Sequence, residues 1–412
     1  MAYNAGMNDK HAPFRTAGPR ELAAALQDAR HYTLALFDIF AGAGYDVAAQ
    51  VPRLAIINPP LWELGHTAWF AEWFVLRAAS GSQPGEADGH SLLARGDDWF
   101  DSGNVAHRSR WTLDLPGPGA LKTYCREVLD RILDRLAREP DDDAALYAYR
   151  LALAHEDMHG EALLYTLQTL GVTVDPAWFK QVAPGPAAAP QGEIAFVGGR
   201  FLRGGEQARG FVFDNERDAA PVHVEPFTID AGLVTNGAFL DFMRAGGYQR
   251  PEYWSEAGRA WLMGQERTAP RYWRRDGADG WQTTMLGHAM PLDPAQPVRH
   301  VTCHEAQAYC AWAGRRLPTE FEWEFAATAP REAGRPAFAW GRLWEWTAST
   351  FLPFEGFEAD RYREYSAPWF GSRQTLRGAS FATPARFRSP YFRNFFTPER
   401  DDIYSGFRTC AL

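Results

Sequence analysis

Three histidines carry the clearest chemical signal in the chain. In Leu153-Ala-His155-Glu-Asp-Met-His159-Gly-Glu161, two of them stand four residues apart. In a helix that spacing stacks both imidazoles on one face, where they can serve one metal ion, with Glu161 close by as a partner that would accept the distal N–H of a histidine ligand. A third, His66, sits among apolar residues in Trp62-Glu-Leu-Gly-His66-Thr-Ala-Trp-Phe-Ala-Glu72. Three neutral imidazoles leave coordination positions open for substrates. Iron and zinc both accept such a set, so the spacing offers a site without choosing the metal. A lone buried histidine is more often a hydrogen-bonded core residue, and histidines four apart also occur on solvated helix faces. The metal reading gains weight only if all three belong to one bundle.

The elements that would position them are legible. Ala- and Leu-rich segments with recurring apolar faces predict helices over residues 20–41, 61–79, 121–138 and 144–170. Pro59-Pro60 suits a helix start and Gly171 a helix end. Four such helices predict a bundle, whose interior is a usual place for metal ligands. A Pro-, Gly- and Ala-rich stretch at 181–192 then reads as a linker. Beyond it lie short alternating strands, many glycines and aromatics, and brief helices near 305–313 and 320–327. The expectation is an α+β protein with a helical domain over 1–180 and an irregular second domain over 193–412.

Bulk properties exclude several classes. A length of 412 residues suits two domains, and a formal charge of -9 lacks the basic face that nucleic-acid binding needs. No apolar run approaches a membrane span, and residues 1–20 are polar without the apolar core of a signal peptide, so a cytoplasmic location is expected. Cys125, Cys303, Cys310 and Cys410 form no CxxC pair and are expected to be reduced, mostly buried thiols.

The second half resembles the formylglycine-generating-enzyme and sulfatase-modifying-factor fold. The matching phrases, in order, are Pro221-Val-His-Val-Glu-Pro-Phe-Thr-Ile-Asp230, Val234-Thr-Asn-Gly-Ala-Phe239, Ala308-Tyr-Cys-Ala-Trp-Ala-Gly-Arg-Arg-Leu-Pro-Thr-Glu-Phe-Glu-Trp-Glu324, Leu343-Trp-Glu-Trp-Thr347, Leu376-Arg-Gly-Ala-Ser380 and Ser405-Gly-Phe-Arg408. Most of these residues read as scaffold, and a fold alone gives no function. Formylglycine generation is disfavoured, because Cys303 and Cys310 lie outside the late segment where that chemistry's cysteine pair is expected.

The pairing of such a domain with a DinB-like bundle carrying HxxxHxE resembles the iron-dependent sulfoxide synthases of ergothioneine and ovothiol biosynthesis, over almost the whole chain. That resemblance implies iron(II), Fe(2+), on His66, His155 and His159. It implies hercynine and O2 as substrates, with a chalcogen joined to the imidazole C2. Asn394, in Phe392-Arg-Asn-Phe-Phe-Thr-Pro-Glu-Arg-Asp401, matches the family's hercynine-contacting asparagine, and Phe395 is expected as an aromatic wall for the trimethylammonium. A proton- or electron-donating tyrosine is implied upstream of Leu376; Tyr362 and Tyr365 are both candidates. Phe395-Phe396 replaces the Trp-Asp of the enzymes that use γ-glutamylcysteine, and Met158 replaces their glutamine. Those departures, with Phe100-Asp-Ser-Gly-Asn-Val-Ala-His-Arg-Ser-Arg-Trp111, resemble the selenoneine synthase branch, which implies a selenosugar donor and makes His107, Arg108, Arg110 and Trp111 candidate donor contacts. A thiol donor, cysteine or γ-glutamylcysteine, is the alternative. A zinc-dependent DinB-type thiol transferase and a non-catalytic binding protein are the rivals from other classes.

Overall fold

The computed structural model describes residues 14–78, 89–185, 190–205, 210–277, 280–330 and 336–412. Most of the polar leader, the last residue of the expected second helix and the centre of the expected linker lie outside the described residues.

Prolines at the first turn open four of the helices in the first half, where a missing N–H costs nothing. The helices are α1 (Pro19–Gly42), α2 (Pro60–Ala71), α3 (Gly96–Phe100), α4 (Pro118–Leu136), α5 (Asp143–Thr169) and α6 (Pro176–Val182). Asp142 caps α5 by accepting from the Ala145 N–H, and Gly171, at φ 69°, lets the chain turn away after it. All twelve residues of α2 are buried, so this helix forms the centre of the bundle against α4 and α5. Where the sequence predicts α2 to continue to residue 79, it passes instead into a π-helical turn over Glu72–Arg77. One wide turn is too short to alter an apolar periodicity.

The remainder mixes small sheets and short helices, and the chain is α+β as expected. One four-stranded sheet runs Glu193–Phe196, Phe227–Asp230, Cys410–Ala411, Arg315–Arg316. A second runs Arg393–Phe396, Gln374–Gly378, Trp344–Thr350, Ser405–Gly406, antiparallel except for its last pair. In the second sheet Asn394 is opposite Leu376 and Phe395 opposite Thr375, a register that decides which side chains face the bundle. Thr302 and Thr319 open helices Cys303–Ala313 and Glu320–Thr328 with capping boxes. Buried pairs Arg408–Glu345 (2.5 Å) and Arg393–Glu320 (2.7 Å), together with Arg377–Glu324, hold the irregular segments by charge-assisted hydrogen bonds. All four cysteines are buried free thiols.

Helix α5 is fastened to the second half along one side. Asp157 accepts from Arg386 (2.6 and 2.9 Å), Glu161 accepts from Trp344, Ser380 and Thr383 (2.8, 2.6 and 2.6 Å), and the Gln168 amide donates to the Thr284 carbonyl (2.9 Å). Among the described residues, no helix is long and apolar enough to cross a membrane.

Candidate metal centre and adjoining cavity

His155 and His159 project from α5 and His66 from α2, and one ligand nitrogen of each lies within 4.8 Å of the others. The Nε2 atoms of His155 and His159 are 3.1 Å apart. Outer hydrogen bonds select the inward-facing nitrogens. His66 Nδ1 donates to the Phe100 carbonyl (2.8 Å) and His159 Nδ1 to Glu63 Oε1 (2.5 Å), which leaves both Nε2 atoms for the shared point. The His155 ring lies flat on Phe70 (3.5 Å, 2°), and its buried Nδ1 has no hydrogen-bond partner.

This donor set fits a transition-metal ion. Three converging imidazoles, two buried and one half-buried, cannot satisfy one another, since one N–H···N bond serves only a pair, whereas one cation accepts all three lone pairs. Burial pushes His66 down to about 3, assisted by repulsion from His159. Burial, then His159 and His66, hold His155 well below its ordinary value. Both rings are thus neutral, as ligands must be. For Glu63, burial acts upward, but the attraction and hydrogen bond of His159 outweigh it and hold the carboxylate at about 2.

A cavity of about 210 Å³ opens beside His155 and His159. Met158, Glu161, Tyr165, Trp344, Tyr362, Tyr365, Asn394 and Phe396 are on its walls. The Tyr365 hydroxyl meets Met158 Sδ at 3.8 Å, and the Tyr362 ring lies edge-on to Phe70 and 6.0 Å from the His155 ring. Burial, reinforced by Glu364 for Tyr362 and by Glu216 for Tyr365, pushes both phenols well up, so they hold their protons.

Several expectations need correction. Phe395 does not face the cavity: it alternates with Asn394 and Phe396 along one strand and stacks on Phe351 at 4.2 Å, so Phe396 supplies the aromatic wall. Among the described residues, Glu161 accepts no hydrogen bond from a histidine. Its partners are Trp344, Ser380 and Thr383, and the carboxylate that orients a histidine is Glu63. A signal for Glu63 was present, because it lies three residues before His66 on the same helical face. The candidate donor contacts also lie elsewhere. His107 Nε2 meets the Ile57 carbonyl (2.7 Å), Arg110 donates to Asn58 Oδ1 (2.7 Å), the buried Trp111 donates to the Val51 carbonyl (2.9 Å), and Arg108 is exposed; none lines the cavity.

Residues 179–343 match the family described as sulfatase-modifying factor enzyme 1-like domain. The chain is 32% identical to the hercynine oxygenase of Mycolicibacterium thermoresistibile, over 94% of this chain and 94% of that protein. It is 33% identical to that of Mycolicibacterium smegmatis (86% and 91%) and 32% identical to that of Mycobacterium tuberculosis (95% and 98%). The formylglycine-generating enzyme of Streptomyces coelicolor is 29% identical over 55% of this chain and 92% of its own length. Similarity to the hercynine oxygenases extends through both the histidine-bearing bundle and the second half; this chain belongs to the hercynine oxygenase family and is an oxidoreductase.

Proposed function

We propose that this protein is an iron(II)- and O2-dependent enzyme that joins selenium from a selenosugar to the imidazole C2 of hercynine, acting in the cytoplasm. The observation that carries the reading is the convergence of His66, His155 and His159, the last two of which line a cavity large enough for a small betaine. The relatives named hercynine oxygenase supply the substrate class. The bundle over 1–180 holds the metal and the domain over 193–412 closes the cavity.

Bound iron supplies redox chemistry and O2 activation. The chain's own residues hold the reactants close enough to react. Phe396 offers its ring to the trimethylammonium, a contact of about 0.5 to 2 kcal/mol. The Asn394 amide can hydrogen-bond the hercynine carboxylate from the same strand face. Tyr362 and Tyr365, protonated and beside the histidines, hold a transferable proton at the phenol oxygen. The selenium assignment is supported by the apolar wall at Met158 and Phe396: no carboxylate stands at position 396 to receive the ammonium of an amino thiol.

The test is a donor competition. Iron-loaded protein with hercynine and O2 is offered a selenosugar, γ-glutamylcysteine and cysteine, and products are read by mass spectrometry. A hercynyl-selenium adduct is expected. Product from a thiol alone would keep the iron reading and overturn the donor; activity with zinc and no O2 would overturn both.

A further inference from the structure

Arg110 is a buried cation with no place on the cavity, yet it touches the ring stacked on His66 and the amide that bonds the carboxylate partner of His159. Its guanidinium donates to Asn58 Oδ1 (2.7 Å) and to the Val105 carbonyl (3.2 Å). With its carbonyl so occupied, Asn58 turns its amide N–H to Glu63 Oε2 (2.7 Å), and Glu63 presents Oε1 to His159 Nδ1 (2.5 Å). These hydrogen bonds converge on Glu63, which accepts from Asn58 on one side and from His159 on the other. Arg110 can only donate, so it fixes which way round the Asn58 amide lies and thereby seats the Glu63 carboxylate that faces His159. The Glu63 carboxylate, an acceptor at both oxygens, demands the Nδ1–H tautomer of His159, which leaves Nε2 free as a ligand.

The same guanidinium lies 3.8 Å from the centroid of the Trp62 ring, which lies parallel to the His66 ring at 4.7 Å and 11°. His66 is held on its far side by the Phe100 carbonyl. The segment from Phe100 to Trp111 therefore reaches two metal ligands, through a carbonyl, a stacked indole and a relay. Burial without full bonding disfavours a guanidinium here: Arg110 Nε has no hydrogen-bond partner, and desolvation works against its charge. A residue serving only to fill space would be apolar at lower cost.

We propose that Arg110 is a positioning residue for the metal centre, holding the orientation of His159 through Asn58 and Glu63 and clamping His66 through Trp62. This rests on reading the three histidines as a metal site. Outer-shell partners of metal-binding histidines typically change affinity by about 10- to 100-fold when removed. Acting from one shell further out, Arg110 belongs near the lower figure.

The experiment titrates the full-length chain with Co(II), whose visible absorption reports ligand geometry, for the wild type, Arg110→Gln, Asn58→Leu and the double variant. Circular dichroism of the metal-free proteins checks folding; should Arg110→Gln unfold, the half-buried Asn58 position carries the test. The expected result is a roughly tenfold weaker Kd in each single variant. The visible bands should also change, and the double variant should be no weaker than the weaker single, because both act through one relay. Affinity within about twofold of wild type with unchanged bands would overturn the proposal, as would a rise in donor KM at unaltered Kd, the mark of a substrate contact. Wild-type protein that binds no Co(II) would instead overturn the metal reading beneath it.

Discussion

Replacing Glu63 by Gln keeps the shape of the side chain and removes only its ability to accept at both oxygens. In the native arrangement Glu63 receives one hydrogen bond from Asn58 and one from His159. A glutamine can face His159 with its carbonyl, but its NH2 then meets the NH2 of Asn58, and Arg110 prevents Asn58 from turning over. If the glutamine flips, its NH2 meets His159 Nδ1–H, and relief requires moving that proton to Nε2, the ligand atom. Either way one buried polar contact is left unmade, at about 1–3 kcal/mol. If that cost is borne by the metal-competent tautomer, affinity falls about 5- to 150-fold. Competition against a chromophoric chelator measures it directly. The same logic requires that Asn58→Leu, added to Glu63→Gln, recover part of the affinity, because it removes the opposing donor. Unchanged affinity in Glu63→Gln, or a double variant weaker than the single, would refute the reasoning.

The strand alternation at the cavity predicts a split. Phe396→Ala should raise KM for hercynine with little change in Tm, whereas Phe395→Ala, which leaves Phe351 without its stacking partner, should lower stability by about 2 kcal/mol and leave KM alone. Glu161→Ala strips the common acceptor from Trp344, Ser380 and Thr383 and should cost about 3 kcal/mol, visible in chemical denaturation; a loss of metal affinity with stability intact would return Glu161 to the histidines. In the metal-free protein the contribution of His66 to stability should fall as pH drops below about 6.5. His66 titrates at about 3 when folded and near its ordinary value when unfolded, so over that window the unfolded chain binds the extra proton and is favoured by acid. His155 adds in the same direction. Burial pushes Glu305 up to about 7, which acts the opposite way over this window, so denaturant titrations in chelator at pH 7.5 and 5 compare the wild type with His66→Phe; a stability difference between the two proteins that does not change with pH would contradict the neutral, buried state of His66.

Local rules were enough for much of the architecture. Apolar periodicity places the four long bundle helices, and a spacing of four brings His155 and His159 together because successive turns of a helix stack. Motif resemblance, carried by residues that cap, turn and pair, points to the fold of the second half, and its pairing with the histidine-bearing bundle points to the family. The same helical rule, applied more strictly, argues against the part first assigned to Glu161: residues two apart do not share a face, so from beside His159 it points to Ser380 and Thr383. Other features needed the tertiary structure. The spacing within α2 can nominate Glu63, but only the crossing of α2 and α5 carries it to His159. Alternation says that Phe395 and Phe396 face opposite ways; which of them faces the cavity depends on register with the Gln374–Gly378 strand. The segment from Phe100 to Trp111 has the composition of a binding loop, and no local pattern distinguishes that from a brace. Contacts to Asn58 and Trp62, some fifty residues away along the chain, make Arg110 part of the scaffold around the histidines, because such contacts are set by packing rather than by neighbours in sequence.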